Sequence, residues 1–164
     1  MKNLLVLVDF SDASIFIVKK AAELAQELSA RIVLLHIVEP RVVPPPVRDT
    51  KSPVIVAAAW PLQTDKSRSV LKTRFNSLIV PLRSVGVPVK SVAVVGFLLD
   101  EILRQAAKYH AAYIILGSRG HNSAHHLVTR NVFTGKQQLT CPMIVFPVKG
   151  RHLLGSPTRV LAEP

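Results

Sequence analysis

The chain is poor in cysteine, and it contains no long apolar run. Cys141 is the only cysteine among 164 residues, which excludes an internal disulfide and is typical of a reducing cytosol. No uninterrupted apolar stretch reaches the length of a membrane span, and Asp9 interrupts the short apolar run near the N-terminus, so we expect neither a membrane anchor nor a signal peptide. These absences predict a cytoplasmic domain in which Cys141 is a small buried thiol.

Acidic residues are missing from much of the second half. Between Glu101 and Glu163 there is none, whereas the same stretch holds eight Lys and Arg and five His, in a chain of formal charge +11. This distribution predicts a positive field that attracts an anionic partner, either nucleotide phosphates, nucleic acid or an acidic protein. The alternative is a basic surface that only contacts solvent.

Most signatures of specific nucleic-acid recognition and of catalysis are also absent. The sequence contains no helix-turn-helix, no zinc motif and no interleaved aromatic pattern, so specific nucleic-acid binding is not expected. It contains no nucleophile elbow and no paired carboxylates, and its second half offers few ligands for magnesium. We therefore predict a binding module that is not an enzyme.

Strand-like and helix-like patterns alternate along the chain. Predicted strands cover about residues 3–9, 31–38, 88–95, 112–116 and 143–147, and predicted helices cover about 12–29, 66–85, 98–110 and 124–138. Such alternation is typical of a parallel sheet covered by helices on both faces. We expect one domain over residues 1–148 and a tail over 149–164. Pro81 predicts a kink or an early end in the second helix.

The connection over residues 39–65 does not follow the alternation. It holds six prolines and the only tryptophan, Trp60. Pro44 to Pro46 favour an extended polyproline conformation, and the apolar run from Val54 to Trp60 is expected to pack on the body or on a partner. A surface connection with a docked apolar tip is the main interpretation, and a lid over a binding site is the alternative.

A glycine turn follows the fourth predicted strand. The apolar run ends at Gly117, and Gly120 follows before the next predicted helix. Closely spaced glycines at a strand-to-helix turn allow backbone N–H groups to approach a phosphate, although the same spacing also makes a plain tight turn. His121 and His125 lie nearby, but no acidic residue or cysteine supplies a third ligand, so we expect no metal site.

Five segments together resemble the universal stress protein (UspA-like) family over residues 3–148. They are VDFS after the first strand, LLHIVEP at the second, G-x-x-x-x-E-I-L from Gly96 to Leu103, IILGSRGH, and CPMIVFP. The resemblance implies an α/β fold, a single-domain Rossmann-like sheet of the adenine-nucleotide-hydrolase type, with five parallel strands and the first beside the fourth. It also implies a homodimer through the strand near Met143 to Val148, which would be the edge of the sheet.

The resemblance further implies an adenine nucleotide, ATP or AMP, in the crevice beside the first and fourth strands. The adenosine side corresponds to Asp9 and the backbone around Val38, and the phosphate side corresponds to Gly117 and Gly120. Asp9 also has a simpler interpretation as a helix-capping or turn residue. Phe10 stands where many relatives have glycine, although VDFS is a familiar variant. His36 is expected to be a hydrogen-bonded core histidine.

The second half of the family's glycine pattern, G-x2-G-x9-G-[ST], is altered in this sequence. Arg130 and Asn131 stand where glycine and a hydroxyl residue are expected, and Val132 matches the apolar residue that follows. Two interpretations remain open. Either Arg130 pairs with a phosphate and Asn131 donates a hydrogen bond, or Arg130 is solvated and the nucleotide site has decayed.

These observations predict a non-catalytic stress-response binding or signalling module with a degenerate adenine-nucleotide site. The alternative is a nucleotide-independent adaptor that binds an anionic partner through its basic face. A weak ATP-hydrolysing enzyme comes third.

Overall fold

A computed structural model describes residues 1–40, 64–118, 139 and 141–148, together with the backbone of 159–160. In chain order, the elements are β1 (Asn3–Leu7), α1 (Asp12–Glu27), β2 (Arg31–Val38), α2 (Asp65–Ser84), β3 (Val89–Val95), α3 (Leu98–Lys108), β4 (Ala111–Gly117), β5 (Met143–Phe146) and β6 (Arg159–Val160). The predicted helix over 124–138 and most of the connection over 39–65 lie outside the described residues.

The strands form one sheet in the order β3-β2-β1-β4-β5-β6. Strands β1 to β5 pair in parallel, which confirms the predicted five-stranded parallel sheet and the position of β1 beside β4. A sixth strand, from the tail, pairs antiparallel with β5. The prediction that β5 forms the edge of the sheet is therefore wrong, because β6 lies outside it.

Two apolar cores pack on opposite faces of this sheet. One joins α1 and α2 to alternate residues of the central strands, among them Leu4, Val6, Ile32, Leu34 and Ile115. The other joins α3 to the residues between them, among them Leu5, Val33, Leu35, Ile114 and Leu116. Because both faces are covered, the central strands are almost entirely apolar, as expected of a parallel sheet. Cys141 is buried in the second core, as predicted.

Helix α2 lies within one residue of the predicted 66–85 at both ends. Thr64 is its N-cap, and the Thr64 hydroxyl accepts a hydrogen bond from the Ser67 N–H at 3.1 Å. The helix continues through Pro81 to Ser84, so the alternative of an early end at Pro81 is wrong. Pro81 lies on an exposed face one turn from the end of the helix, where losing one helical hydrogen bond leaves a carbonyl that water can solvate.

Candidate functional site

The carboxyl ends of β1, β2 and β4 meet at one edge of the sheet. Leu7 of β1 lies opposite Leu35 of β2, and Val6 lies opposite Ile115 of β4. Asp9 follows β1 by two residues, whereas Val38 and Gly117 are the last residues of their strands. The structure thus brings these three predicted site residues to one edge. From β1 the chain adds β2 and β3 on one side and then β4 and β5 on the other, so the strand order reverses between β1 and β4. Open α/β sheets bind ligands at such a point.

Asp9 organises the turn between β1 and α1. Its Oδ1 atom accepts hydrogen bonds from the Ser11 N–H at 3.0 Å, from the Ser11 hydroxyl, and from the Ser14 hydroxyl at 2.7 Å. The Ser14 hydroxyl in turn accepts from the Asp9 N–H at 3.0 Å. Ser11 is the N-cap of α1, but its side chain makes no capping bond to the helix. Asp9 is therefore a turn residue, and one of its carboxylate oxygens is engaged in the turn.

The backbone of Val38 is tied to the end of β3. The Val38 carbonyl accepts a hydrogen bond from the Gly96 N–H at 3.1 Å. A carbonyl oxygen has two lone pairs, so this bond does not use the full acceptor capacity of Val38. Gly96 in turn packs against Glu101, since an added Cβ at Gly96 would lie 2.6 Å from the Glu101 Cγ atom. The glycine allows β3 and α3 to approach closely at the edge where Val38 ends.

Ser118 joins the start of the glycine turn to the end of β5. Its N–H donates to the Phe146 carbonyl at 2.9 Å, and its hydroxyl accepts from the Val148 N–H at 2.9 Å. Ser118 had no assigned role in the sequence analysis, because the recognisable pattern consists of the glycines on either side of it. Gly120, Arg130, Asn131 and Val132 lie outside the described residues, as do His121 and His125, so their roles stay predictions.

A sequence model of the Universal stress protein family matches residues 1–147. The chain belongs to this family. A search of curated protein sequences gives no match.

Solved structures of universal stress proteins share the fold. One from Burkholderia pseudomallei is 20% identical, with 90% of this chain and 96% of that chain covered and a TM-score of 0.63. One from Archaeoglobus fulgidus in complex with dAMP is 19% identical, with coverages of 88% and 97% and a TM-score of 0.61. A family protein from Arabidopsis thaliana with AMP bound is 14% identical, with coverages of 91% and 93% and a TM-score of 0.55.

In this universal stress protein, Phe10 adopts a backbone conformation that favours glycine. Its φ is +61°, in the left-handed region. Its ring packs 4.5 Å from the His36 ring and 5.0 Å from the Phe75 ring, as measured between centroids. The Arg74 guanidinium lies 5.8 Å from the Phe10 ring centroid. Many relatives have glycine at this position, and that difference was the signal in the sequence for a left-handed backbone. The sequence analysis gave the difference little weight.

His36 connects the Phe10 ring to the end of β1. Its Nδ1 atom lies 2.9 Å from the Val8 carbonyl, and because a carbonyl can only accept, Nδ1 carries the proton and donates. The predicted hydrogen bond of His36 is thereby confirmed, although the residue is half-buried and belongs to neither apolar core. Burial lowers the pKa of His36; the Val8 hydrogen bond and the Asp9 carboxylate oppose this effect, and Arg74 adds to it. The neutral ring is therefore favoured beside the candidate site.

Metal-ligating residues do not gather in the part of the chain that the structure describes. Among those residues, no three His, Cys, Asp or Glu side chains are placed to hold one ion. The helices within the same ranges include none that is long and apolar enough to cross a membrane.

Proposed function

We propose that this universal stress protein binds an adenine nucleotide, AMP or ATP, at the edge where β1 and β4 end, and that the bound nucleotide controls its binding to another molecule. The observation that carries the proposal is the arrival of Asp9, Val38 and Gly117 at one edge of a sheet with this strand order. Family members of the same fold bear dAMP and AMP, which supports an adenine nucleotide as the ligand.

The proposed role is non-catalytic. Asp9 is the acidic residue assigned to the site, and its Oδ1 atom accepts three hydrogen bonds from Ser11 and Ser14. Three hydrogen bonds to one carboxylate oxygen fix its position. Such a group is suited to orienting a ligand hydroxyl, whereas a general base needs an oxygen within reach of the proton that it takes from water. We also propose a cytoplasmic location, in keeping with the single cysteine.

A nucleotide-independent adaptor is the second candidate function. The same Asp9 contacts favour it, because they account for this aspartate without a ligand. The acid-free stretch between Glu101 and Glu163 then supplies the binding surface, and its partner would be an acidic protein. Binding of that kind weakens as salt is added and does not respond to nucleotide.

Calorimetry with AMP and ATP on a matched pair of variants tests the first proposal. Asp9→Asn removes the charge at the site and keeps an acceptor for the turn. Asp12→Asn removes the same charge from an exposed position in the first turn of α1. We expect Asp9→Asn to weaken nucleotide binding by about tenfold or more, the range for losing a charge-assisted hydrogen bond, and Asp12→Asn to bind like the parent chain.

The alternatives give different results in the same experiment. Absence of binding to all three proteins at millimolar nucleotide contradicts the nucleotide proposal and favours the adaptor. Equal weakening by both variants means that overall charge, and not a site at Asp9, attracts the nucleotide. Steady ATP turnover that Asp9→Asn abolishes would instead support the weak enzyme.

A further inference from the structure

The outer edge of β5 offers few backbone groups for pairing. Residues of a strand direct their backbone N–H and C=O alternately to the two sides. The Ile114 N–H donates to the Pro142 carbonyl at 3.0 Å, and the Ser118 N–H donates to the Phe146 carbonyl at 2.9 Å. Even-numbered residues of this strand therefore face β4. Met143 and Val145 are the two residues of β5 whose backbone groups face outward.

A proline limits the edge at its C-terminal end. Pro147 is the next outward-facing position after Val145, and it has no N–H to donate. Pairing over the whole length of β5 therefore uses the outward-facing groups of Val145 together with those of Met143, whichever strand approaches.

Strand β6 already uses Val145. The antiparallel register places Val145 opposite Arg159 and Ile144 opposite Val160. Because Val145 faces outward, the pair of Val145 and Arg159 is the one that exchanges hydrogen bonds, and the pair of Ile144 and Val160 is the non-hydrogen-bonded one. The tail thus occupies one of the two residues that the edge offers.

Without β6, the edge of β5 would suit a second copy of the chain. Its sequence, Met-Ile-Val-Phe, is apolar and uncharged, and it lacks the lysine or glutamate that commonly protects an exposed edge. Antiparallel pairing of the strand with itself across a two-fold axis would satisfy both copies alike. A second copy would approach in the same antiparallel sense as β6 and would need the same Val145 groups.

We propose that β6 is an intramolecular cap that competes with a second copy of the chain for the edge of β5. The chain is monomeric while β6 is paired, and it dimerises through β5 when β6 detaches. Residues 147–158 separate the two strands, a connection much longer than the two to five residues of a tight hairpin. Closing this longer loop costs entropy, and only two paired positions offset that cost, so the cap is held weakly enough to be released.

Two proline substitutions in the full chain separate this proposal from a general effect on the tail. Arg159→Pro removes an N–H that donates to Val145. Val160→Pro introduces the same residue one position later, where the N–H faces away from β5. The readout is the dimerisation constant, from sedimentation velocity over a series of concentrations, with far-UV circular dichroism to verify that each variant is folded.

We expect Arg159→Pro to dimerise more tightly than the parent chain by about five- to tenfold, since one of the two backbone hydrogen bonds that hold the cap is lost. Val160→Pro should change the constant much less. Equal dimerisation of the parent chain and Arg159→Pro would overturn the proposal. Weaker dimerisation of Arg159→Pro would overturn it as well, because the tail strand would then hold the dimer together. Hydrogen exchange gives a second readout that needs no substitution: slow exchange of the Val145 amide in the monomer is expected, and rapid exchange there contradicts the cap.

Discussion

Replacing Gly96 by alanine tests the close contact between Gly96, which follows β3, and Glu101 of α3. An added Cβ would lie 2.6 Å from both Cγ and Oε1 of Glu101 and 2.9 Å from its Cδ. Separations this short do not occur between such atoms, so the Glu101 side chain must move. That side chain is buried, and its Oε2 accepts from Arg104 Nη2 at 2.6 Å and from Gln105 Nε2 at 3.3 Å.

The cost of that movement follows from the two partners. The side chain of Arg104 is 62% exposed, so losing its ion pair costs at most about 1 kcal/mol. Gln105 is buried, and its Oε1 has no partner among the described residues. Loss of Glu101 would therefore leave the whole buried amide unpaired, at about 1–3 kcal/mol. We expect Gly96→Ala to lower the free energy of unfolding by about 2 kcal/mol in urea denaturation.

A double-mutant cycle distinguishes this clash from a general effect of alanine. In a Glu101→Ala background the Cγ and Oε1 atoms are gone, so Gly96→Ala should then cost close to nothing. Gly86→Ala is the matched control. Its added Cβ meets no atom within 4 Å, and its φ of +74° predicts a backbone cost of about 1 kcal/mol in either background. Equal costs of Gly96→Ala in the two backgrounds would refute the reasoning.

Two further predictions concern Phe10 and His36. Phe10→Gly and Phe10→Ala both lose the ring contacts, but glycine tolerates the φ of +61° at this position better than alanine. We therefore expect the free energy of unfolding of the glycine variant to be about 1 kcal/mol higher than that of the alanine variant. An alanine variant of equal or greater stability would count against a strained backbone at this position. The pKa of His36 is lowered in the folded protein, so at acidic pH the unfolded chain binds more protons than the folded one. The contribution of His36 to stability is therefore complete above its unfolded pKa of about 6.5, and it falls as the pH drops below that value. Urea unfolding of the parent chain and His36→Asn between pH 8 and pH 5 measures this loss, and an identical slope in both proteins would contradict it.

The sequence was sufficient for the central sheet because the strands are buried on both faces. Runs such as Ile32 to Ile37 have no polar break except His36, and the helices between them carry apolar residues at helical spacing, so element types and the parallel arrangement followed directly. The position of β1 beside β4 did not follow from periodicity, because strand order depends on contacts between distant segments. It came from the resemblance to a family.

The parts that sequence reasoning missed depend on tertiary contacts. Arg159 and Val160 carry no strand signal of their own, and they form β6 because β5 offers them an edge. The continuation of α2 through Pro81 depends on the exposure of that turn, which composition does not reveal. At the candidate site, Asp9 could be recognised from its motif, but its bonds to Ser11 and Ser14 required the geometry of the turn.

The most direct test of the central claim is titration of the parent chain with AMP by isothermal calorimetry, with Asp12→Asn and Asp9→Asn measured beside it. The account predicts saturable binding by the parent chain and by Asp12→Asn, and binding about tenfold weaker or more by Asp9→Asn. Absence of heat and of any thermal stabilisation at millimolar AMP would contradict the claim that this edge of the sheet is a nucleotide site.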